Sequence, residues 1–134
     1  MSDCITDTHG LIWYILNSSE LSLTAKNLFI STANSGGNVF VPTISLVEIT
    51  YLIEKNKFQP ALLSRIISRL NNPNAELKPI ELTVEIADNL SKIPRSIVTD
   101  MPDRIIAATA LHLNLPLVTK DHKIQKLQTI QTIW

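Results

Sequence analysis

A single cysteine, Cys4, stands in a chain of 134 residues. With no second thiol to bridge, disulfide frameworks and cysteine-based zinc sites are excluded, and a reduced, cytoplasmic setting is the expectation. No basic segment followed by a long apolar run opens the chain. No apolar stretch approaches the roughly 18 residues of a membrane helix, so the sequence reads as soluble and unprocessed. The patterns G-x-S-x-G, G-x-x-x-x-G-K-[ST] and G-x-G-x-x-G are all missing, which removes support for nucleophilic-serine and nucleotide-binding chemistry. The three histidines, His9, His112 and His122, are dispersed and form no ligand cluster. An excess of either charge is lacking too, since 12 Lys plus Arg balance 12 Asp plus Glu. That balance carries no signature of a polyanionic partner.

What is present is the composition of one globular domain over residues 1–134, with 45% hydrophobic and 18% charged residues. "DCITDTHGLIWYIL" reads as a short strand ending near Asp7, then a helix. "SLTAKNLFISTA" is a second helix capped by Ser22 or Thr24 and ended by the glycines of "NSGGN". "NVFVP" is a strand and "TISLVEITYLIEK" a helix. Another helix spans about Pro60 to Leu70, "AELKPIEL" contains a strand, and "TVEIADNLSKI" is a short amphipathic helix. A helix from about Asp103 to Asn114 follows, then a strand in Leu115 to Asp121, and "IQTIW" alternates like an edge strand. Strands alternating with helices predict a three-layer α/β/α sandwich around a mostly parallel sheet.

In such a sheet the ligand crevice lies beyond the carboxyl ends of the strands, and acids fall there. Asp7 closes the first strand and Asp121 the later one, while Glu48 and Asp103 stand near helix starts. Each also has a structural reading. Ser45 to Glu48 spell an S-x-x-E capping box, and Asp100 can be the N-cap of a helix with Pro102 in its first turn and Asp103 at N3. Asp7 and Asp121 suit turns after strands. Asp103 is more telling, because at 100° per residue Ala107 and Ala110 lie within about 40° of it, on the apolar side of the helix. A carboxylate leaning inward needs a partner. Several together call for a cation, and oxygen-only ligands select hard ions such as Mg2+ or Mn2+. Setting five clustered acids aside leaves seven against 12 bases, so a basic exterior around an acidic hole fits the zero balance. His112 falls on the helix face opposite Asp103 and is expected at the surface; His9 and His122 adjoin acids and read as loop histidines.

"DTHGLIWYI", "ISLVEI", "DMPDRIIAATA" and "LPLVTKD", in this order and spacing, resemble the PIN domains of VapC-type toxins from bacterial toxin–antitoxin systems. The resemblance runs over essentially the whole chain. It implies a Mg2+- or Mn2+-dependent endoribonuclease that cleaves RNA, forms a homodimer and is held inactive by a cognate antitoxin. Asp7 and Asp103 match the family's principal metal ligands, Asp121 the acid closing the later strand, and Glu48 the acid on the helix after the second strand. Asp100 matches an upstream aspartate found in many members. Thr8 and Thr119 resemble hydroxyls that support the ligands. Arg104, Lys120, Lys123 and Lys126 are candidates for phosphate contacts, because RNA affinity at an acidic pocket must come from its rim. Gly10 replaces a larger residue common among relatives, which is expected to loosen the first helical turn. The homodimer is expected to use exposed apolar faces among the first four helices.

Two other readings stand beside this one. A phosphoacceptor α/β domain also gathers acids with Mg2+ at strand ends, but paired acids or a D-x-D motif are missing, since Thr8 and His9 follow Asp7. A non-catalytic binding module would use the acids as caps and as a seat for a basic tail.

Overall fold

The computed structural model describes residues 3–134. Strand β1 (Cys4–Thr6) leads into α1 (Thr8–Ile15) and α2 (Leu23–Asn34); β2 (Val39–Pro42) leads into α3 (Ile44–Glu54) and α4 (Ala61–Leu70). Then β3 (Leu77–Ile80) precedes α5 (Val84–Asn89), a 3-10 turn at Leu90–Lys92, and α6 (Met101–Leu113). The chain closes with β4 (Leu117–Val118), α7 (His122–Gln125) and β5 (Thr132–Ile133). All pairings are parallel, in the order β3-β2-β1-β4-β5.

Alternation along the strands divides the core into two layers. Cys4, Val39, Leu77 and Val118 face one side, where they bury Leu11, Phe29 and Ile66 of α1, α2 and α4. Ile5 and Leu117 face the other, against Ile86 of α5 and Ile106, Ala107 and Ala110 of α6. Helix α3 contributes Ile49 to the first cluster and Ile44 to the second, so it straddles the sheet edge beside the site. The expected three-layer sandwich is therefore the observed one.

With few glycines, the helix ends rely on asparagine. Asn17, Asn56 and Asn114 take left-handed φ values of 51°, 60° and 52°, as Gly36 does at 77°. After α2 the N–H of Gly37 reaches Thr32 O at 2.9 Å, and after α6 that of Leu115 reaches Ala110 O at 3.4 Å. These are Schellman closures, in which the left-handed residue lets the next N–H cap a free carbonyl. Ser22 caps α2 through Ala25 N, as expected.

Two local expectations change. The strand predicted over Leu115 to Asp121 is only Leu117–Val118, because the Asp121 carboxylate takes the N–H groups of Lys123 and Ile124 at 2.8 and 2.9 Å and starts α7 there. The Ser45–Glu48 capping box is not formed. Helix α3 begins two residues earlier, with Thr43 as a cap that makes no side-chain bond, so Ser45 and Glu48 lie inside the helix and turn to Thr8.

Candidate metal and active site

The strand order places the chain's reversal beside β1, where β2 and β3 lie to one side and β4 and β5 to the other. That is the crevice position of an open parallel sheet. Asp7, directly after β1, is buried and caps α1. Its Oδ1 accepts from Gly10 N at 2.8 Å and its Oδ2 from the Thr119 hydroxyl at 2.6 Å. Thr119 Oγ1 in turn accepts from Asp121 N at 3.0 Å, so one hydroxyl ties the acids after β1 and β4 together. From α3, Glu48 Oε1 accepts from the Thr8 hydroxyl at 2.5 Å, and the same hydroxyl bonds Ser45. Asp100 is the N-cap of α6, accepting from Asp103 N at 3.3 Å. Asp103 occupies N3, above the buried Ala107 and Ala110 that let α6 settle close to the sheet.

All five acids line one open cleft of about 610 Å3. Within it, one oxygen each of Glu48, Asp100 and Asp103 can lie within 4.8 Å of the other two. Burial pushes the Asp103 carboxyl up to about 7, and Asp100, Asp121, Glu48 and Asp7 push in the same direction. Burial also raises Asp7 against the hydrogen bonds from Thr119 and Gly10, and raises Glu48 against the bond from Thr8. The donor set is oxygen alone, with charge repulsion built in, and a hard divalent cation fits both features. The tightest group is Glu48, Asp100 and Asp103, while hydroxyl and backbone donors fix the orientation of Asp7 and Asp121 beside them. Asp100 thus serves as a cap and as part of the acidic group.

The PIN domain model matches residues 4–129. The chain belongs to the PIN domain family. This PIN domain is 26% identical over 125 residues to Ribonuclease VapC22 of Mycobacterium tuberculosis (strain ATCC 25618 / H37Rv), covering 93% of this chain and 92% of that one. Its fold is similar to that of VapBC2 from Rickettsia felis bound to a DNA fragment from their promoter, with TM-score 0.73, 17% identity and coverage of 98% and 97%. DNA-bound VapBC from Salmonella typhimurium gives TM-score 0.67 at 17% identity, covering 99% of this chain and 98% of that one.

Around the acids of this PIN domain, the rim departs from the sequence reading. Arg104 does not line the cleft: its guanidinium donates to Leu90 O and Ile93 O, both at 3.0 Å, and clamps the 3-10 turn. Helical geometry explains it, since the residue after Asp103 projects about 100° away. Lys123 and Lys126 are exposed and also stay outside the lining, whereas Lys120 is part of it. His9 and His122 line the cleft from the first residues of α1 and α7 rather than from loops. His112 is exposed, as expected.

Gly10 is more than a tolerated gap in α1. A Cβ there would meet Thr6 Oγ1 at 2.8 Å and Asp7 Oδ1 at 3.0 Å, so the bare Cα is what lets the Asp7 carboxylate fold back onto its own helix. Trp13, which the sequence reading did not single out, also lines the cleft. Its signal was the i, i+4 spacing from His9 on a helix already known to start at an acid.

Proposed function

We propose that this PIN domain is a divalent-metal-dependent endoribonuclease and the toxin of a toxin–antitoxin pair. The observation that carries the reading is the convergence of Asp7, Glu48, Asp100, Asp103 and Asp121 on one cleft that contains a single lysine and no arginine. Similarity to a protein named a ribonuclease, and the fold shared with VapBC complexes, support the substrate class and the antitoxin partner. The ion would be Mg2+ or Mn2+, chosen by the all-oxygen donors, and it would polarise the scissile phosphate and lower the pKa of the attacking water.

The chain's own residues do the positioning. Asp7, Asp103 and Asp121 would hold the cation, with Asp100 beside Asp103 and with Thr119 aligning Asp7 and Asp121. Glu48, kept in place by Thr8 and raised in proton affinity by burial, takes the proton from the attacking water. As the water oxygen bonds to phosphorus the P–O3′ bond breaks, and the departing O3′ takes a proton from solvent, leaving a 5′ phosphate and a 3′ hydroxyl. Lys120 contacts a phosphate at the rim. No helix among the described residues is long and apolar enough to cross a membrane, which fits action on RNA in the cytoplasm.

A homodimer through α3 completes the proposal. Val47 and Tyr51 are 50% and 60% exposed there, beside Met101 at 61%, and gel filtration at monomer size across concentrations would count against it. The decisive test of the activity is cleavage of single-stranded RNA by purified protein. Loss in EDTA and recovery with Mg2+ or Mn2+ is expected; undiminished cleavage in EDTA would remove the metal from the mechanism, and absence of any cleavage or RNA binding would favour the binding-module reading.

A further inference from the structure

An acidic cleft is a poor seat for a polyanion. Even with a cation neutralising part of the charge, the only fixed positive side chain in the lining is Lys120. Affinity for a nucleic-acid strand must therefore draw on contacts that need no positive charge, and base stacking on an aromatic ring is the usual one. The cleft holds such a ring. Trp13 lies on α1 one turn beyond His9, and both line the cleft with the acids.

The indole is held in place from several directions. Trp134 meets it edge-on with ring centroids 5.8 Å apart at 61°, and His9 tilts against it at 5.4 Å and 48°. Trp13 is partly buried against the core cluster on its side of the sheet. The Lys120 ammonium rests over the indole, 5.5 Å from the centroid. Lys120 is 52% exposed and its ion pair to Glu20, itself 60% exposed, is 3.7 Å long. Such a pair is readily exchanged.

We infer that Trp13 is a stacking platform for one unpaired RNA base next to the scissile phosphate, and that Lys120 moves from the ring to the adjoining phosphate when the base arrives. The inference rests on the proposed ribonuclease activity and adds to it a base-stacking contact, which only an unpaired base can make because bases inside a duplex are already stacked on each other. Trp13 is a binding and positioning residue and takes no part in proton transfer.

The test compares Trp13→Phe, which keeps a flat ring, with Trp13→Leu, which keeps apolar bulk alone. With the cut site mapped on an unstructured oligoribonucleotide, Trp13→Leu is expected to raise KM by about 5- to 100-fold with a smaller change in kcat, and Trp13→Phe to restore most of the loss. An oligonucleotide lacking the base beside the cut should be poor for the wild type and no worse for Trp13→Leu, because the two losses describe one contact. An unchanged KM in Trp13→Leu, or independent multiplying losses, would overturn the inference. If Trp13→Leu does not fold, Trp134→Phe decides, since Trp13 is then the sole tryptophan: quenching of its fluorescence by the oligonucleotide supports stacking, and no change on binding refutes it. RNA binding with quenching but without cleavage would instead sink the ribonuclease reading and leave the stacking site standing.

Discussion

Glu76, just before β3, and Asp103, at the start of α6, sit at opposite ends of the same sheet and are both carboxylates in partly buried surroundings. Burial opposes the charge of Glu76, yet the Tyr14 hydroxyl at 2.5 Å and the Arg69 guanidinium at 2.6 Å hold its pKa below the ordinary value. Asp103 has burial and four other acids, and its pKa rises to about 7. One end of the sheet supplies a carboxylate with its counter-charge from within the chain. The other gathers carboxylates and leaves the counter-charge to come from outside. A protein able to complete Glu76 with an arginine and a tyrosine has at its crevice an acid cluster with no such completion, and that contrast is the physical argument for a cation site.

The sharpest way to break the comparison is Asp103→Asn. Asparagine nearly matches aspartate in size, so it keeps the packing above Ala107 and Ala110 but removes the charge. RNA cleavage should fall by at least about 100-fold while the melting temperature of metal-free protein at pH 8 holds or rises. Wild-type cleavage by the variant would show that Asp103 is not a metal ligand but only an acid in the first turn of α6. Gly10→Ala should be milder, because the new Cβ must displace Thr6 or Asp7 by a few tenths of an ångström. A drop of about tenfold in kcat/KM is expected, and kinetics equal to the wild type would show that the Asp7 position tolerates the shift.

At the other end, Glu76→Ala leaves the Tyr14 hydroxyl and the Arg69 guanidinium without their shared acceptor. It should lower unfolding free energy in urea by about 1–2 kcal/mol, with cleavage per folded molecule unchanged. Equal stability would mean that solvent at the exposed Arg69 makes good the loss. The smallest effect is pH dependence. A raised carboxyl pKa favours the protonated folded form, so its stabilising contribution is full below about pH 4 and is lost as pH climbs through about 7. Metal-free protein should melt on the order of 4 °C lower at pH 8 than at pH 5, and Mg2+ or Mn2+ should restore the difference at pH 8 with little effect at pH 5. A melting temperature that rises over this range without metal would contradict the acid cluster's repulsion.

Much of this was legible in the chain. Strand and helix runs in alternation implied parallel pairing, and the "DMPD" start of α6 was read correctly as Asp100 cap, Pro102 in the first turn and Asp103 at N3. Readings failed where a local pattern had a distant competitor. S-x-x-E is a capping signal, but Thr8, 37 positions from Ser45, and 40 from Glu48, claimed both side chains. Helix α7 is four residues long and exists through one aspartate's hydrogen bonds, too short for periodicity to register. Arg104 adjoins Asp103 in sequence, yet helical rotation sends it to carbonyls on the far side of the turn.

Chain order was enough to establish the layers, the parallel sheet and the arrival of acids at its carboxyl edge, because these follow from hydrophobic period and from residues that end strands and start helices. It was silent on which acids approach one another most closely, on which carboxylates the hydroxyls of Thr8 and Thr119 reach, and on the tryptophan beside them. Those depend on burial and on separations between segments far apart in the chain, and a carboxylate's charge cost is a property of its surroundings in space rather than of its neighbours in sequence.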